Sequence, residues 1–382
     1  MHIFTDIRLL ARGGTSGISG YTRELLTHLL RTDPKDEYTF FYNGFFKQPL
    51  PDDWRMHPRI HIIDRHVPNR LLDSSFRFFN APKPERFAST ANLIFSPHFN
   101  LLPNSRLPRV VTFHDLSFLR FPKFFSPKQQ LWHWLQRYQQ QAQNAAHIVA
   151  VSEFTKSDLV EFLGVPPEKI SVVYSGLAPE FTNFTTNKNE LDLLKTTYQL
   201  HRPYFLYLGA LEKRKNIITL IHAFTLLKST DKNFADYQLV LAGRPGYGSK
   251  EIFAAARAST SSADIRFLHN VSDQQRAPLY AAARAFVYPS FFEGFGFPPL
   301  EAQACGTPVI AADRTSLPEI LGDSALLVDP WRTSDLAEAL QTIESNSHVR
   351  DTIITAGTKN AQNFRWEKTA TQMRTIFKNV AT

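Results

Sequence analysis

The stretch Phe291-Phe292-Glu293-Gly294-Phe295-Gly296-Phe297-Pro298-Pro299-Leu300-Glu301-Ala302-Gln303-Ala304-Cys305-Gly306-Thr307-Pro308 sits between two apolar runs, 285–289 and 308–312. The flanking runs read as strands, and the stretch reads as a glycine-bearing loop followed by a short helix. Pro298 and Pro299 suit a first helical turn, where a missing N–H loses no hydrogen bond. Gly306 suits the helix end. Two carboxylates bracket the loop. Glu293 falls in the loop, and Glu301 is expected in the first helical turn, leaning back toward the helix start. Both are expected to face one cavity above the strand ends, where open parallel sheets bind ligands.

Working outward, short apolar runs alternate with helix-period segments, the pattern of parallel α/β units. Strands are expected at 1–6, 38–42, 60–63, 93–96, 110–113, 148–151 and 170–174. A second series follows at 204–208, 238–242, 265–268, 285–288, 309–311 and 325–328. Residues 13–20 read as a glycine-rich loop, 21–30 and 153–163 as helices, and 126–144 as one longer helix. The polar run from about 178 to 200 reads as a hinge or linker. The chain of 382 residues is too long for one ordinary core. Residues 1–180 and 200–364 are therefore expected to form two Rossmann-like domains facing each other across a cleft, with a terminal helix over 366–380.

The bulk numbers exclude several classes. A hydrophobic fraction of 43% and a charged fraction of 20% are those of a folded protein. No apolar run reaches the ~18 residues of a membrane span. The start, Met1 to Arg8, reads as a strand carrying an acid, not as a signal peptide. The single cysteine, Cys305, excludes an internal disulfide and a cysteine-rich metal site, and a reducing cytosol is the simplest compartment. A net charge of +8 suits either a solubility surface or attraction to phosphates. Long Lys/Arg runs are absent, which argues against a nucleic-acid partner.

The second decisive stretch is Leu208-Gly209-Ala210-Leu211-Glu212-Lys213-Arg214-Lys215-Asn216. A strand ends, three cations follow, and a helix starts near Asn216, a plausible N-cap. Cations beside a positive helix end are unfavourable unless an anion binds there. Arg214 and Lys215 suit a diphosphate, one as a two-pronged grip and the other as a point charge. The loop Gly13 to Gly20, including Gly14 and Gly17, does not spell the nicotinamide fingerprint G-x-G-x-x-G, so a dehydrogenase loses its main support. Its glycines still allow backbone amides to approach an anion. His114 and Asp115 end the strand at 110–113, where a histidine can bond a substrate hydroxyl or simply pack beside a helix-capping Asp115. Scattered histidines give no support to a metal site. The run from Phe118 to Leu135 mixes aromatic and basic residues, which suits a core face or contact with an anionic membrane surface.

Taken together these stretches resemble the family 4 glycosyltransferases of the GT-B fold. Glu293 and Glu301 match that family's E-x7-E motif, and Gly209 to Asn216 resembles its phosphate loop in an Arg-Lys-Asn form. Gly17 to Thr22, Val151 to Thr155, Val173 to Gly176 and Leu241 to Gly243 sit where similar blocks sit. Two departures from the commoner pattern are Ala210 after the loop glycine and Asn216 after the lysine. The resemblance implies a retaining, metal-independent hexosyltransferase with no cofactor, using a nucleotide-diphosphate sugar as donor. It implies that Arg214 and Lys215 hold the diphosphate with amides of Gly294, Phe295, Gly296 and Phe297, and that Gly14, Gly17 and Gly209 line the donor site. Glu301 would hold ribose hydroxyls, Glu293 and His114 the donor sugar, and the backbone at Asn270 and Val271 would face the base. The donor is expected to be guanosine diphosphate mannose first and a uridine-linked sugar second. The acceptor is expected to be a glycan or lipid-linked glycan of surface polysaccharide assembly, in the cytoplasm at the inner membrane face. A nucleotide-sugar epimerase of the same fold and a non-catalytic polyanion-binding protein are the alternatives.

Overall fold

The computed structural model describes residues 1–12, 17–32, 35–45 and 48–381. The chain divides into two compact units. One comprises residues 1–120, 127–176 and 365–382, and the other residues 121–126 and 177–364.

The first unit is built on β1 (His2–Asp6), β2 (Glu37–Asn43), β3 (Ile60–Arg65), β4 (Leu93–Ser96), β5 (Arg109–Phe113), β6 (His147–Ala150) and β7 (Ile170–Val172). All are parallel, in the order β3-β2-β1-β4-β5-β6-β7. The second unit has β8 (Tyr204–Leu208), β9 (Gln238–Ala242), β10 (Ile265–Leu268), β11 (Ala285–Tyr288), β12 (Val309–Ala312) and β13 (Leu326–Val328), in the order β10-β9-β8-β11-β12-β13. Both sheets are Rossmann-like. The central strands β8, β9, β11 and β12 are buried at every position, as near-continuous apolar runs covered by helices on both faces must be. Each order reverses once, at β1/β4 and at β8/β11. That reversal opens a crevice at the carboxyl ends of the strands.

Four local expectations are corrected. Gly17–Gly20 are not loop but the first turn of the helix Gly17–Thr32, whose buried stripe of Tyr21, Leu25, Leu26 and Leu29 outweighs two glycines near a helix start. Gly13 to Ser16, with the candidate Gly14, lie outside the described residues. The single helix expected over 126–144 is two, Pro127–Leu135 and Tyr138–Asn144. Gln136 is drawn into the core, where its Oε1 accepts from the amide of Leu101 at 2.8 Å, and Arg137 takes up a φ of 50°. The polar run near 178–200 is not a bare hinge. It holds the helices Pro179–Thr182 and Lys188–Tyr198, the second capped by the Asn187 side chain. Phe181, Leu194 and Leu200 bury themselves in the second unit from this run. Lastly, Glu301 lies in the second turn of the helix Phe297–Ala304, with no acid in its first turn.

The terminal helix Trp366–Ala381 belongs to the first unit and packs along the helix Gly17–Thr32. Arg374 reaches Asp36 at 2.8 Å, and Thr369 donates to the carbonyl of Tyr174 at 2.8 Å. Gly176 makes room for it: a Cβ there would stand 2.2 Å from the amide nitrogen of Trp366. Gly176→Ala should therefore push the start of the helix off its seat. A loss of about 1–3 kcal/mol is expected from such overpacking. The check is urea unfolding followed by tryptophan fluorescence, with an unchanged midpoint arguing against the tight crossing.

Candidate active site

In the second unit the ordering of strands brings together two loops far apart in sequence. β8 and β11 are neighbours. Residues 209–216 follow the first and residues 289–296 follow the second, so both emerge at the β8/β11 crevice. They are stitched together there. The Phe291 amide donates to the carbonyl of Arg214 at 2.9 Å, and the Arg214 guanidinium donates to the carbonyl of Phe292 at 2.6 Å.

The centre of this junction is Glu293. Its Oε1 accepts from Lys215 Nζ at 2.6 Å and lies 3.4 Å from Arg214 Nη1. Lys215 also donates to the Tyr288 hydroxyl at 2.6 Å and lies over that ring. Arg214 makes a second ion pair with Glu212 at 2.9 Å. Lys215 and Glu293 are both buried. Burial alone would raise the Glu293 pKa, but the two cations reverse this and hold the carboxyl at about 2. Lys215 moves down instead. Burial and the neighbouring Arg214 outweigh the attraction of Glu293 and Glu212. Glu293 is thus pulled down by two cations, whereas Lys215 has burial and a neighbouring cation against it.

The second glutamate sits apart from this pair. Glu301 Oε2 receives the Tyr280 hydroxyl at 2.8 Å and the Arg276 guanidinium. The ion pair drives the Arg276 pKa upward. Neither Arg276 nor Tyr280 was singled out by sequence. They sit one turn apart on the helix Asp273–Ala281, and nothing in the spacing marks them as Glu301's partners. Among the described residues Glu301 Oε1 carries no hydrogen bond from the protein, so that oxygen can still accept one.

Glycines and small hydroxyls shape the surrounding backbone. Gly209 has φ 156° and Gly243 φ 148°, and a Cβ on Gly243 would fall 1.8 Å from the Gly209 carbonyl. The Gly209 amide donates to the Ala242 carbonyl at 2.9 Å. Gly243 thus lets the end of β9 touch the end of β8, a role its sequence context did not reveal. Gly296 is the N-cap of Phe297–Ala304 at φ 110°. Ser316 donates to the carbonyls of Glu293 and Phe295, and Thr315 Oγ1 accepts from the Glu293 amide at 3.0 Å. These bonds fix the peptides of the loop that carries Gly294. The first amides of the helix behind it have no partner within the helix. Asn216 sits at the helix start with φ 57°, but its side chain does not cap the backbone. It donates to the Pro330 carbonyl and accepts from Thr219. Asn270 and Val271 follow the edge strand β10, where the Asn270 carbonyl lies 3.4 Å from the Tyr198 hydroxyl.

In the first unit His114 ends β5. Its Nε2 donates to the carbonyl of Pro97 at 2.8 Å, and the Tyr21 ring stands edge-on to it at 4.7 Å. That bond leaves Nδ1 of the neutral ring as the acceptor. Burial lowers its pKa below 6.5, against the bond to Pro97 and the charge of Asp115. Asp115 caps the helix Ser117–Arg120, accepting from the Ser117 amide at 2.9 Å and from its hydroxyl. Gly17 lies at the start of the helix that carries Tyr21. No group of three or more His, Cys, Asp and Glu suited to a metal ion occurs among the described residues.

The comparisons with known proteins converge. Residues 15–181 match the family described as Glycosyltransferase Family 4, and residues 194–360 match Glycosyl transferases group 1. The chain is 32% identical over 375 residues to the O-antigen chain mannosyltransferase B of Escherichia coli, covering 95% of this chain and 96% of that one. It is 31% identical over 238 residues to the O-antigen chain mannosyltransferase RfbU of Salmonella typhimurium, covering 62% and 61%. A sucrose-phosphate synthase from Thermosynechococcus elongatus shares the fold, with a TM-score of 0.78 at 21% identity, over 99% of this chain and 98% of that one.

The Glu293 cluster gives a pH-dependent stability. A carboxyl lowered from 4.5 to about 2 stabilises the fold fully above its unfolded pKa. That contribution fades as pH falls from about 4.5 through about 2. Glu293→Gln, which takes the carboxylate from the buried Lys215 while Arg214 keeps Glu212, should cost about 3–5 kcal/mol near neutrality. Its deficit relative to the parent should shrink in acid. Melting curves of both proteins from pH 7 down to the acid limit check this, and a deficit that does not change with pH would contradict the pairing.

Proposed function

The chain belongs to the family 4 glycosyltransferases, and on that premise we propose that it catalyses retaining transfer of a hexose from a nucleotide-diphosphate sugar. Mannose from guanosine diphosphate mannose is the first assignment, and a uridine-linked sugar is the second. The acceptor is a glycan, carried on lipid at the cytosolic membrane face, in surface polysaccharide assembly. The names of the Escherichia coli and Salmonella relatives support mannose and O-antigen chemistry. No helix among the described residues is long and apolar enough to cross a membrane.

The observation that carries the reading is the pair of adjacent cations, Arg214 and Lys215, held at the β8/β11 crevice. A buried lysine held low beside an arginine, at the sheet's topological switch, is stabilised by an incoming anion. The departing nucleoside diphosphate is such an anion. As the glycosidic C–O bond breaks, the phosphate oxygens gain charge and the sugar becomes oxocarbenium-like. Arg214 and Lys215 stabilise the oxygens, together with the first amides of the helix Phe297–Ala304. The Gly294–Gly296 peptides line this loop. Glu293, relieved of part of its cation pairing by the diphosphate, accepts hydroxyls of the donor sugar. Glu301 Oε1 takes the ribose, with Arg276 and Tyr280 fixing the carboxylate through Oε2. The Asn270–Val271 backbone faces the base. His114 accepts a sugar hydroxyl at Nδ1, and the glycines at 14, 17 and 209 admit the donor.

No carboxylate in this arrangement is a free nucleophile, since Glu293 and Glu301 are both held by cations. The leaving phosphate then takes the proton of the acceptor hydroxyl on the same face of the sugar, which retains configuration. The reading needs no metal and no cofactor: Arg214, Lys215 and the first amides of the helix Phe297–Ala304 stabilise the charge developing on the diphosphate.

A thermal-shift series with nucleoside diphosphates tests the donor site. Stabilisation grows with the ratio of ligand concentration to dissociation constant, so one base should stand out. No shift from any of them would overturn the reading. Lys215→Ala should lower kcat by about 10²–10³. Turnover should survive excess EDTA. Consumption of the nucleotide sugar without acceptor, giving an epimer, would identify an epimerase instead. Protonation of His114 below pH 6.5 should depress transfer in acid, and a kcat profile that loses this limb in His114→Asn would confirm the acceptor role of its ring.

A further inference from the structure

Among the described residues other than glycine, a positive φ occurs at Asn80, Arg137, Gln199, Asn216 and Thr315. The first four begin or end helices, and none of them branches at Cβ. Thr315, at φ 57°, is different. It caps no helix, and its branched Cβ crowds the backbone in the left-handed region, where such a residue is an outlier. Glycine would take this conformation without strain. Strain of this kind persists only where the surroundings enforce it, and it gathers at functional sites.

What surrounds Thr315 is the loop that carries Glu293. Thr315 stands on the turn that follows β12. The Asp313 amide donates to the Val328 carbonyl at 2.8 Å, which ties the start of that turn to β13. Thr315, Ser316 and Leu317 then close on the Glu293 loop. The Thr315 hydroxyl donates to the Arg314 carbonyl at 2.8 Å and accepts from the Glu293 amide at 3.0 Å. The Ser316 hydroxyl reaches the carbonyls of Glu293 and Phe295, each at 3.0 Å. Leu317 fills the space beside Gly296, where a Cβ would fall 2.8 Å from its Cδ2. The Glu293 peptide is thus held at its N–H by Thr315 and at its C=O by Ser316, while its carboxylate is held by Lys215. Glycine at 315 would suit the backbone better and would take the acceptor away from the Glu293 amide.

We propose that Thr315 is a positioning residue for transfer, one that acts through Glu293. The inference rests on the reading of Glu293 as the group that grips hydroxyls of the donor sugar. A carboxylate orients a hydroxyl only as well as its own backbone is oriented. Lys215 and Arg214 both approach the same oxygen, Oε1. Two cations on one oxygen fix where the charge sits and leave that oxygen as a pivot. The bond from the Glu293 amide to Thr315 holds the backbone on the far side of the pivot. The strained φ is tolerated because it places a hydroxyl where glycine has none. Thr315 touches no reacting atom, and its effect belongs to the rate: a gripping group displaced by a fraction of an ångström slows reaction more than it weakens binding.

The test uses the full chain with Thr315→Gly, which relieves the backbone and deletes the bond, Thr315→Val, which keeps the branched Cβ and deletes the bond, and Thr315→Ser, which keeps the hydroxyl. Amide hydrogen exchange over residues 290–297, read without ligand, should quicken about tenfold in Thr315→Gly and Thr315→Val, the factor that one hydrogen bond supplies. Thr315→Ser should hold it near the parent rate. With guanosine diphosphate mannose as the probe donor and a mannose oligosaccharide as acceptor, kcat should fall about tenfold in Thr315→Gly and Thr315→Val with little change in KM. Thr315→Ser should recover most of that loss. The melting temperature should drop in Thr315→Val and stay within about 3 °C of the parent in Thr315→Gly, where relieved strain offsets the missing bond. Rate lost without stability lost is the mark of positioning. A rate that instead follows the melting temperature, normal in Thr315→Gly and low in Thr315→Val, would overturn the proposal, as would unchanged exchange in Thr315→Gly. If the parent transfers and Thr315→Gly equals it, this inference alone fails. If the parent transfers from no nucleotide sugar, the transfer reading fails and takes this role with it.

Discussion

One buried carboxylate shared between two cations is the constraint on which the second unit's functional edge depends. Glu293 arrives on the loop after β11, and Arg214 and Lys215 on the loop after β8. Placing any of these charges in the interior alone would be prohibitive, and a lysine–carboxylate pair at 2.6 Å makes it tolerable. The pairing also fixes the two loops against each other, reinforced by backbone bonds between Phe291 and Arg214 and by the Tyr288 hydroxyl under the lysine. The same structure that stabilises the loops places two adjacent cations at the β8/β11 crevice. Stability and the proposed ligand recognition then rest on the same three side chains.

That arrangement exists only because the sheet reverses order between β8 and β11. A strand order without reversal would separate the loops by the width of intervening strands. Gly243 belongs to the same logic. It permits the ends of β8 and β9 to touch, and so sets the height at which the cation-bearing loop leaves the sheet.

Much of this was legible in the sequence, and the reason is physical. Strands buried on both faces appear as unbroken apolar runs, as at 204–208, and the partly exposed strands, such as 60–63, still showed short apolar stretches, so all thirteen stood out. The resemblance to family 4 glycosyltransferases was carried by motif spacing, and the comparisons bear out both it and the Rossmann-like architecture of the two units. What stayed hidden were features that depend on contacts between distant segments. The break at Gln136 follows from a bond to Leu101 that no local pattern encodes. The helix Lys188–Tyr198 lies in a run whose polar surface masks three apolar anchors. Arg276 and Tyr280 matter only because their helix packs beside Glu301.

The position of Glu301 shows why spacing alone misleads about chemistry. Two glutamates eight residues apart, bracketing a glycine loop, read as a matched pair facing one cavity. The structure gives them different partners: Lys215 and Arg214 for one, Arg276 and Tyr280 for the other. A hydrolase pair would need one carboxyl held neutral as an acid and the other free as a base or nucleophile. Glu293 is driven far toward its ionised form, and Glu301 is bound on one oxygen by a guanidinium. Both are thereby fixed as hydrogen-bond acceptors in set orientations, which suits gripping hydroxyls and does not suit exchanging protons. On the proposed reading, the eight-residue spacing, one loop plus a turn and a half of helix, sets how far apart two hydroxyl-bearing parts of a single ligand must lie to be held at once.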